Sequence, residues 1–356
     1  MADRVVLHVG TMKSGTTYLQ RSLESGVLEG AGGFYVGGAF GAQTAAVRGI
    51  LGARDQQRLQ VWNRLLGEVR RREGVAVYSQ EFLGFARRHR ARQVVKSFEG
   101  TPVDVVLTVR DQHGAMPAQW QSFVRNRGTD DWATYVHRLM HMDEEGPVSS
   151  KAVRSFRRAQ DVPDMLRRWS RAGVSGVTVV TVPPAGAPPT QLWRRFCEAA
   201  RIEVGDPPEA AAKSNESLGY ASCEVLRRVN VAVEELGREE FQRVRRLVLD
   251  ALLPLRPDEG RPELDGEGAA YARELNRRIA GVVTGGDIGL VGSLSELPVE
   301  ESRPHPVTIL EPDPDHVVRA LRTVWAGCLP DEGPPSEDPD VLADLLGQRL
   351  VGRARG

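Results

Sequence analysis

Val5-Val6-Leu7-His8-Val9-Gly10-Thr11-Met12-Lys13-Ser14-Gly15-Thr16-Thr17-Tyr18-Leu19-Gln20 decides how the rest of the chain is read. Its first five residues are a short, mostly β-branched apolar run stopped by Gly10. Such a run reads as a buried strand. A Gly/Thr turn follows, and Thr17–Ser25 then sets Tyr18, Leu19 and Leu23 at helical spacing. Strand, tight loop and helix in that order make the first unit of an α/β fold.

The same alternation runs onward. Residues 30–43, rich in Gly and Ala, are expected to form a loop. Residues 55–73 carry Leu59, Trp62, Leu65, Leu66 and Val69 at amphipathic spacing, and Gly74 stops that helix. Val75–Ser79, Val103–Val109 and Val177–Val182 are three further apolar strands. Helices are expected near 90–98, 113–127, 131–141 and 153–171. Continuous apolar strands separated by helices imply a parallel sheet covered on both faces. Beyond residue 205 strand signals nearly vanish, and 217–237, 239–253, 267–283, 315–327 and 340–351 read as helical. The expected organisation is an α/β core over 1–205. A mainly helical region over 206–356, with a Pro-rich tail, is expected to pack on it.

Composition narrows the function classes. A chain of 356 residues that is 41% hydrophobic can bury a substantial core. Its 47 basic and 47 acidic residues balance, so no global field points to nucleic acid or a membrane surface as partner. No apolar run approaches the roughly 20 residues of a membrane helix, and no signal-peptide pattern precedes Val5. Cys197, Cys223 and Cys328 lie far apart and form neither a CxxC pair nor a Cys/His cluster. Buried, reduced thiols and a cytoplasmic location are the expectation. Oligomeric state has no signature.

A Gly-rich turn at the carboxyl end of a parallel strand presents successive backbone N–H groups, and the helix after it adds its positive end. Gly10 and Gly15 permit the turn, Ser14, Thr16 and Thr17 add hydroxyls, and Lys13 adds a cation. Lysine is rare here, with only Lys13, Lys96, Lys151 and Lys213 in an Arg-rich chain. The spacing departs from the Walker A pattern G-x-x-x-x-G-K-[ST]. Gly10, Gly15 and Thr17 take their slots, but Thr16 stands where the Lys belongs and Lys13 lies upstream.

Thr11-Met12-Lys13-Ser14-Gly15-Thr16-Thr17-Tyr18 instead resembles the 5′-phosphosulfate loop of sulfotransferases that use 3′-phosphoadenosine 5′-phosphosulfate (PAPS). The Pro117–Gln121 stretch resembles a bacterial, actinomycete-rich branch of such proteins. The resemblance covers about residues 4–200 and implies a P-loop-containing parallel sheet. It also implies nucleotide contacts from Lys13, Ser14, Gly15, Thr16, Thr17 and Tyr18, with PAPS as cosubstrate and no metal. The family carries an Arg at a strand end and a Ser eight residues on, both for the 3′-phosphate. Arg110, after Val105–Val109, fits the Arg, whose fork suits phosphate. Ala118 stands where the Ser is expected; Ser122, Arg125 or Arg127 are the candidate replacements. The family's late glycine loop has no clear counterpart, although Lys213–Ser217 could cover the phosphate or simply begin a helix.

Sulfuryl transfer needs a cation at the oxygen leaving with the nucleotide, for which Lys13 is the candidate, and a base for the acceptor's proton. Glu81, just beyond strand Val75–Ser79, is the first candidate base; a helix-start Glu favoured by the dipole is the plainer reading. His8, inside a strand, reads as a core His, and His113 follows Arg110. His89, His137 and His141 read as surface. Asp111 could be taken for a Walker B acid, but Arg110 interrupts the apolar run before it. The resemblance thus implies sulfuryl transfer to a hydroxyl or amine of a small molecule, glycolipid or secondary metabolite. A P-loop small-molecule kinase and a non-catalytic nucleotide-binding relative are the competing readings.

Overall fold

The computed structural model describes residues 1–52, 56–144, 149–208, 217–301 and 304–355. In chain order the first elements are β1 (Arg4–His8), α1 (Thr16–Glu24), β2 (Gly33–Tyr35), α2 (Phe40–Leu51), α3 (Gln56–Arg71) and β3 (Val75–Ser79). A 3-10 turn (Glu81–Phe85) precedes α4 (Arg88–Lys96) and β4 (Val103–Val109). Helices α5 (Gln112–Arg125), α6 (Trp132–Met140), α7 (Lys151–Gln160) and α8 (Val162–Ser170) lead to β5 (Gly176–Thr181). Then come α9 (Pro189–Ala200), α10 (Tyr220–Ala232), α11 (Arg238–Leu252), α12 (Gly266–Gly285) and β6 (Gly289–Val291). Helices α13 (Pro314–Cys328) and α14 (Pro339–Arg355) close the order.

The chain divides into two compact units, each built from three segments. One comprises Met1–Ala115, Arg157–Asn215 and Ala272–Ser302; the other comprises Met116–Phe156, Glu216–Tyr271 and Arg303–Gly356. The first unit holds a six-stranded, all-parallel sheet in the order β2-β3-β1-β4-β5-β6. Period-two alternation sorts its side chains. Val5, Leu7, Val105, Leu107 and Val179 pack with Trp62, Val94, Met165 and Trp169 of α3, α4 and α8. Val6, Val77, Val106 and Val180 pack with Leu19 and Leu23 of α1 and with Trp193 and Phe196 of α9. Each large apolar side chain so buried contributes roughly 1.5–3 kcal/mol. The second unit is helical. Its core includes Trp120, Trp132 and Tyr135, with ring centroids 5.7 and 6.1 Å apart along that row. Asn230 donates to the carbonyls of Val124 and Gly128, both at 2.8 Å.

Several expectations need correction. Residues 30–43 are not one loop: Phe34 and Tyr35 are buried in edge strand β2, and α2 starts at Phe40. Glycines hide the strand, and at Gly33 a Cβ would lie 3.1 Å from the Val75 carbonyl oxygen, a tight contact. The stretch 153–171 is two helices. Asp161 ends the first and caps the second by accepting the Asp164 N–H at 3.0 Å, and Pro163 has no N–H to continue the helix. Strand β6 lies beyond residue 205, where no strand signal stands out; it is three residues long and half-exposed. All three cysteines are buried and none is disulfide-bonded. No described helix is long and apolar enough to cross a membrane.

Candidate active site at the β1 and β4 strand ends

After β1 the chain turns toward β2 and β3; after β4 it proceeds to β5 and β6. The carboxyl ends of β1 and β4 are therefore a topological switch point, where an open parallel sheet leaves a crevice. The loop after β1 and Arg110–Asp111 after β4 meet there. Thr11 N–H donates to the Thr108 carbonyl at 2.7 Å, and Thr108 N–H donates to the Gly10 carbonyl at 2.6 Å.

The loop's backbone is shaped by residues that tolerate left-handed geometry. Gly10 has φ 102°, Lys13 has φ 64° and Gly15, immediately before α1, has φ 83°. Lysine rarely adopts this region, so its presence at 13 reflects a backbone held by its surroundings. Gln160, at the end of α7, donates to the Met12 carbonyl at 2.7 Å and is one such restraint. Gly15 is required twice, because a Cβ there would also meet Leu192 Cδ2 at 2.3 Å. No side chain caps α1, no acidic residue stands in its first turn, and its first intrahelical bond is Leu19 N–H to the Gly15 carbonyl at 3.2 Å. An uncapped helix start turns its leading N–H groups and positive end toward the loop.

Individual side chains differ in what they can offer. Lys13, Thr17 and Tyr18 are half-buried on the loop and first turn, and Thr16 is buried. Burial foremost raises the Tyr18 phenol above its ordinary value. The Ser14 hydroxyl is turned inward: it is fully buried, donates to the Thr11 carbonyl at 2.6 Å and lies 2.5 Å from Thr108 Oγ1. Glu81 begins the 3-10 turn after β3, and its Cβ would lie 3.2 Å from a Cβ at Gly10, so the carboxylate flanks the loop. Gln20, buried on α1, donates to Glu81 Oε2 at 2.7 Å.

On the β4 side, the Arg110 guanidinium lies over Gly114 in the first turn of α5, where a Cβ would come within 2.8 Å of Nη2. Asp111 stands at the start of α5. Its Oδ1 accepts from His113 N–H at 3.1 Å and from Asn276 Nδ2 at 2.8 Å. Burial opposes its charge, but the bonds from His113 and Asn276 outweigh that and hold the carboxyl below its ordinary value. His113 is tied to this group through Nδ1, 3.3 Å from Asp111 Oδ1. Ser122 and Arg125 lie on the portion of α5 that belongs to the helical unit. On an ideal helix Ser122 stands about 6 Å further along the axis than Ala118. Ser122 is buried and Arg125 half-buried. Lys213, Ser214, Asn215 and Glu216 fall outside the described residues. His89, His137 and His141 are exposed.

Three contributors carry no sequence signal of their own: Gln20 beside Glu81, Gln160 beneath Met12, and a buried polar row of Ser79, His8 and Thr108. The row's only trace is that each apolar strand near the loop carries one polar residue close to its carboxyl end. Among the described residues no group of three or more His, Cys, Asp or Glu side chains is placed to hold a metal ion. Comparison of the chain with protein-family models, curated proteins and solved structures finds no match.

Proposed function

We propose that the chain is a PAPS-dependent sulfotransferase and that the β1–α1 loop is a P-loop variant that cradles the 5′-phosphosulfate. The observation that carries this reading is the placement of Lys13, in left-handed geometry, on a Gly-bounded loop at the β1/β4 switch point with Arg110 on the adjoining strand end. A tight turn with left-handed backbone at Gly10, Lys13 and Gly15, leading into a helix start that no side chain caps, suits a tetrahedral anion. The cosubstrate supplies the sulfuryl group. Lys13 offsets charge on the oxygen that leaves with the nucleotide. Glu81, oriented by Gln20, takes the proton of the acceptor hydroxyl or amine as the new bond to sulfur forms and the old S–O bond breaks. Arg110 pairs with the 3′-phosphate through its fork.

Thermal unfolding with adenosine 3′,5′-bisphosphate, set against ATP with Mg²⁺, tests the reading. At a hundredfold excess over Kd the bisphosphate should stabilise by about 2.7 kcal/mol. Lys13→Ala should remove most of that shift, and Arg110→Ala should remove the preference over adenosine 5′-phosphate. Stabilisation by ATP–Mg²⁺ alone would point to a kinase and sink the proposal. Binding of the bisphosphate with no transfer to any acceptor, unchanged in Lys13→Ala, would leave a non-catalytic binder.

A further inference from the structure

His8 is the last residue of β1 and is fully buried, on the sheet face that holds Val6 and Phe196; its ring lies edge-on to Phe196 with centroids 5.3 Å apart. Ser79 and Thr108 share that face at the carboxyl ends of β3 and β4, the strands on either side. His8 Nδ1 lies 2.7 Å from Ser79 Oγ, and Nε2 lies 3.1 Å from Thr108 Oγ1. Thr108 Oγ1 lies 2.5 Å from Ser14 Oγ, and Ser14 Oγ lies 2.6 Å from the Thr11 carbonyl oxygen. The row thus runs unbroken from β3, through the central strand and β4, into the middle of the loop.

Counting protons gives the row a direction. A carbonyl only accepts, so the bond at Thr11 uses the single Ser14 hydroxyl proton. Ser14 must then accept from Thr108, which spends the Thr108 proton. Thr108 can bond His8 only by accepting, so Nε2 carries the ring proton and Nδ1 accepts from Ser79. All four contacts are satisfied this way. The only donor contact given up is Thr108 Oγ1 to the Gly10 carbonyl at 3.1 Å, and that oxygen already accepts the Thr108 N–H at 2.6 Å. The opposite tautomer leaves either the Thr11 carbonyl without its Ser14 donor or the bare Nε2 without a donor from Thr108, and a buried polar group left unpaired is costly.

We propose that His8, as the neutral Nε2–H tautomer, is a positioning residue: through Thr108 and Ser14 it holds the loop amides in their anion-binding arrangement. The inference rests on the nucleotide reading of the loop for its ligand and on the hydrogen-bond row alone for the bracing.

Two isosteric variants separate the halves of the ring. The amide of His8→Gln reaches the place of Nε2 and can still donate to Thr108. The amide of His8→Asn reaches only the place of Nδ1 and can still bond Ser79. Amide hydrogen exchange at residues 11–16 of the free protein, and affinity for adenosine 3′,5′-bisphosphate, are measured for both and for wild type. His8→Gln should stay near wild type, while His8→Asn should exchange about 10-fold faster at the loop and bind about 10-fold more weakly. Thr108→Val should reproduce the His8→Asn effect and add little to it. Equal behaviour of the two variants, or loop exchange that simply follows global stability, would overturn the proposal. Should either variant fail to fold, the wild-type ring nitrogen shifts decide: a protonated Nδ1 overturns it, and a protonated Nε2 with bare Nδ1 sustains it. A wild type that binds no bisphosphate, yet shows the Gln/Asn split in exchange, refutes the nucleotide reading and leaves the bracing intact.

Discussion

Gly15→Ala deletes no contact and adds one methyl group, yet it should be among the most damaging single changes in the core unit. Two costs combine. At φ 83° an L-residue sits in the left-handed region, which disfavours Ala by about 1–2 kcal/mol. The new Cβ would also lie 2.3 Å from Leu192 Cδ2, against the roughly 3.5–4.0 Å of a normal carbon contact. Leu192 is buried on α9 among Leu19, Trp193 and Phe196, so it cannot swing into solvent. Overpacking of that kind costs about 1–3 kcal/mol. The sum, about 2–5 kcal/mol, is a large share of the 5–15 kcal/mol that ordinary domains possess. Urea unfolding followed by amide exchange in β1, β3 and β4 peptides reports on this unit, and the midpoint should fall at unchanged slope. Leu192→Ala, itself costing about 2–5 kcal/mol, makes room for the methyl group. In that background Gly15→Ala should cost only the left-handed part, about 1–2 kcal/mol. A cost under about 0.5 kcal/mol, or the same cost in both backgrounds, would refute the reasoning.

Three further outcomes follow from the same site. Lys13→Gly relieves left-handed backbone at φ 64° and should raise the unfolding free energy by up to about 1 kcal/mol while abolishing bisphosphate binding; a variant that loses both properties argues against strain stored at the ligand site. Glu81→Gln should leave bisphosphate affinity within about threefold but cut transfer by roughly 10²–10⁴-fold, and single-turnover sulfuryl transfer measures the split. His8 gives a pH signature. Burial lowers its pKa from 6.5 to about 3, so the folded ring stays neutral where the unfolded one takes up a proton. Its contribution is complete above about pH 6.5 and is lost, at up to about 1.4 kcal/mol per pH unit, as pH falls toward 3. His8→Gln should flatten that slope between pH 6 and 5, and an unchanged slope would show that other groups carry it.

The parts of the fold that could be read from the sequence are those where one physical effect dominates. Val5–Val9, Val75–Ser79 and Val103–Val109 are largely buried on both faces, so their runs are mostly apolar and each was legible as a strand of a parallel sheet, though not its place in the strand order. The Gly10–Gly15 loop was legible because left-handed turns leave glycines at fixed spacing. Phe34 and Tyr35 were hidden because three residues between glycines show no period. Leu290 and Val291 were hidden because an edge strand buries little. At the site, Glu81 stands out as a charged residue after an apolar strand. Gln20, Gln160 and the His8 row do not, because their partners lie 61 to 148 residues away in sequence and only folding brings them together.

The place of β6 bears on how the chain is made. It pairs with β5, and Arg195 on α9 ties its far side with a forked bond to Glu296, at 2.7 and 2.8 Å, while donating to the Thr181 carbonyl at 2.9 Å. During translation β5 and α9 leave the ribosome on the order of 100 residues before Gly289 and Glu296, a delay of roughly 5–20 s at typical rates. For that interval the nascent sheet has a naked border at Thr178–Val180, with Arg195 waiting for its carboxylate. Chains stalled before residue 289 should therefore aggregate more readily than chains released after Glu296, which sedimentation of stalled nascent chains measures.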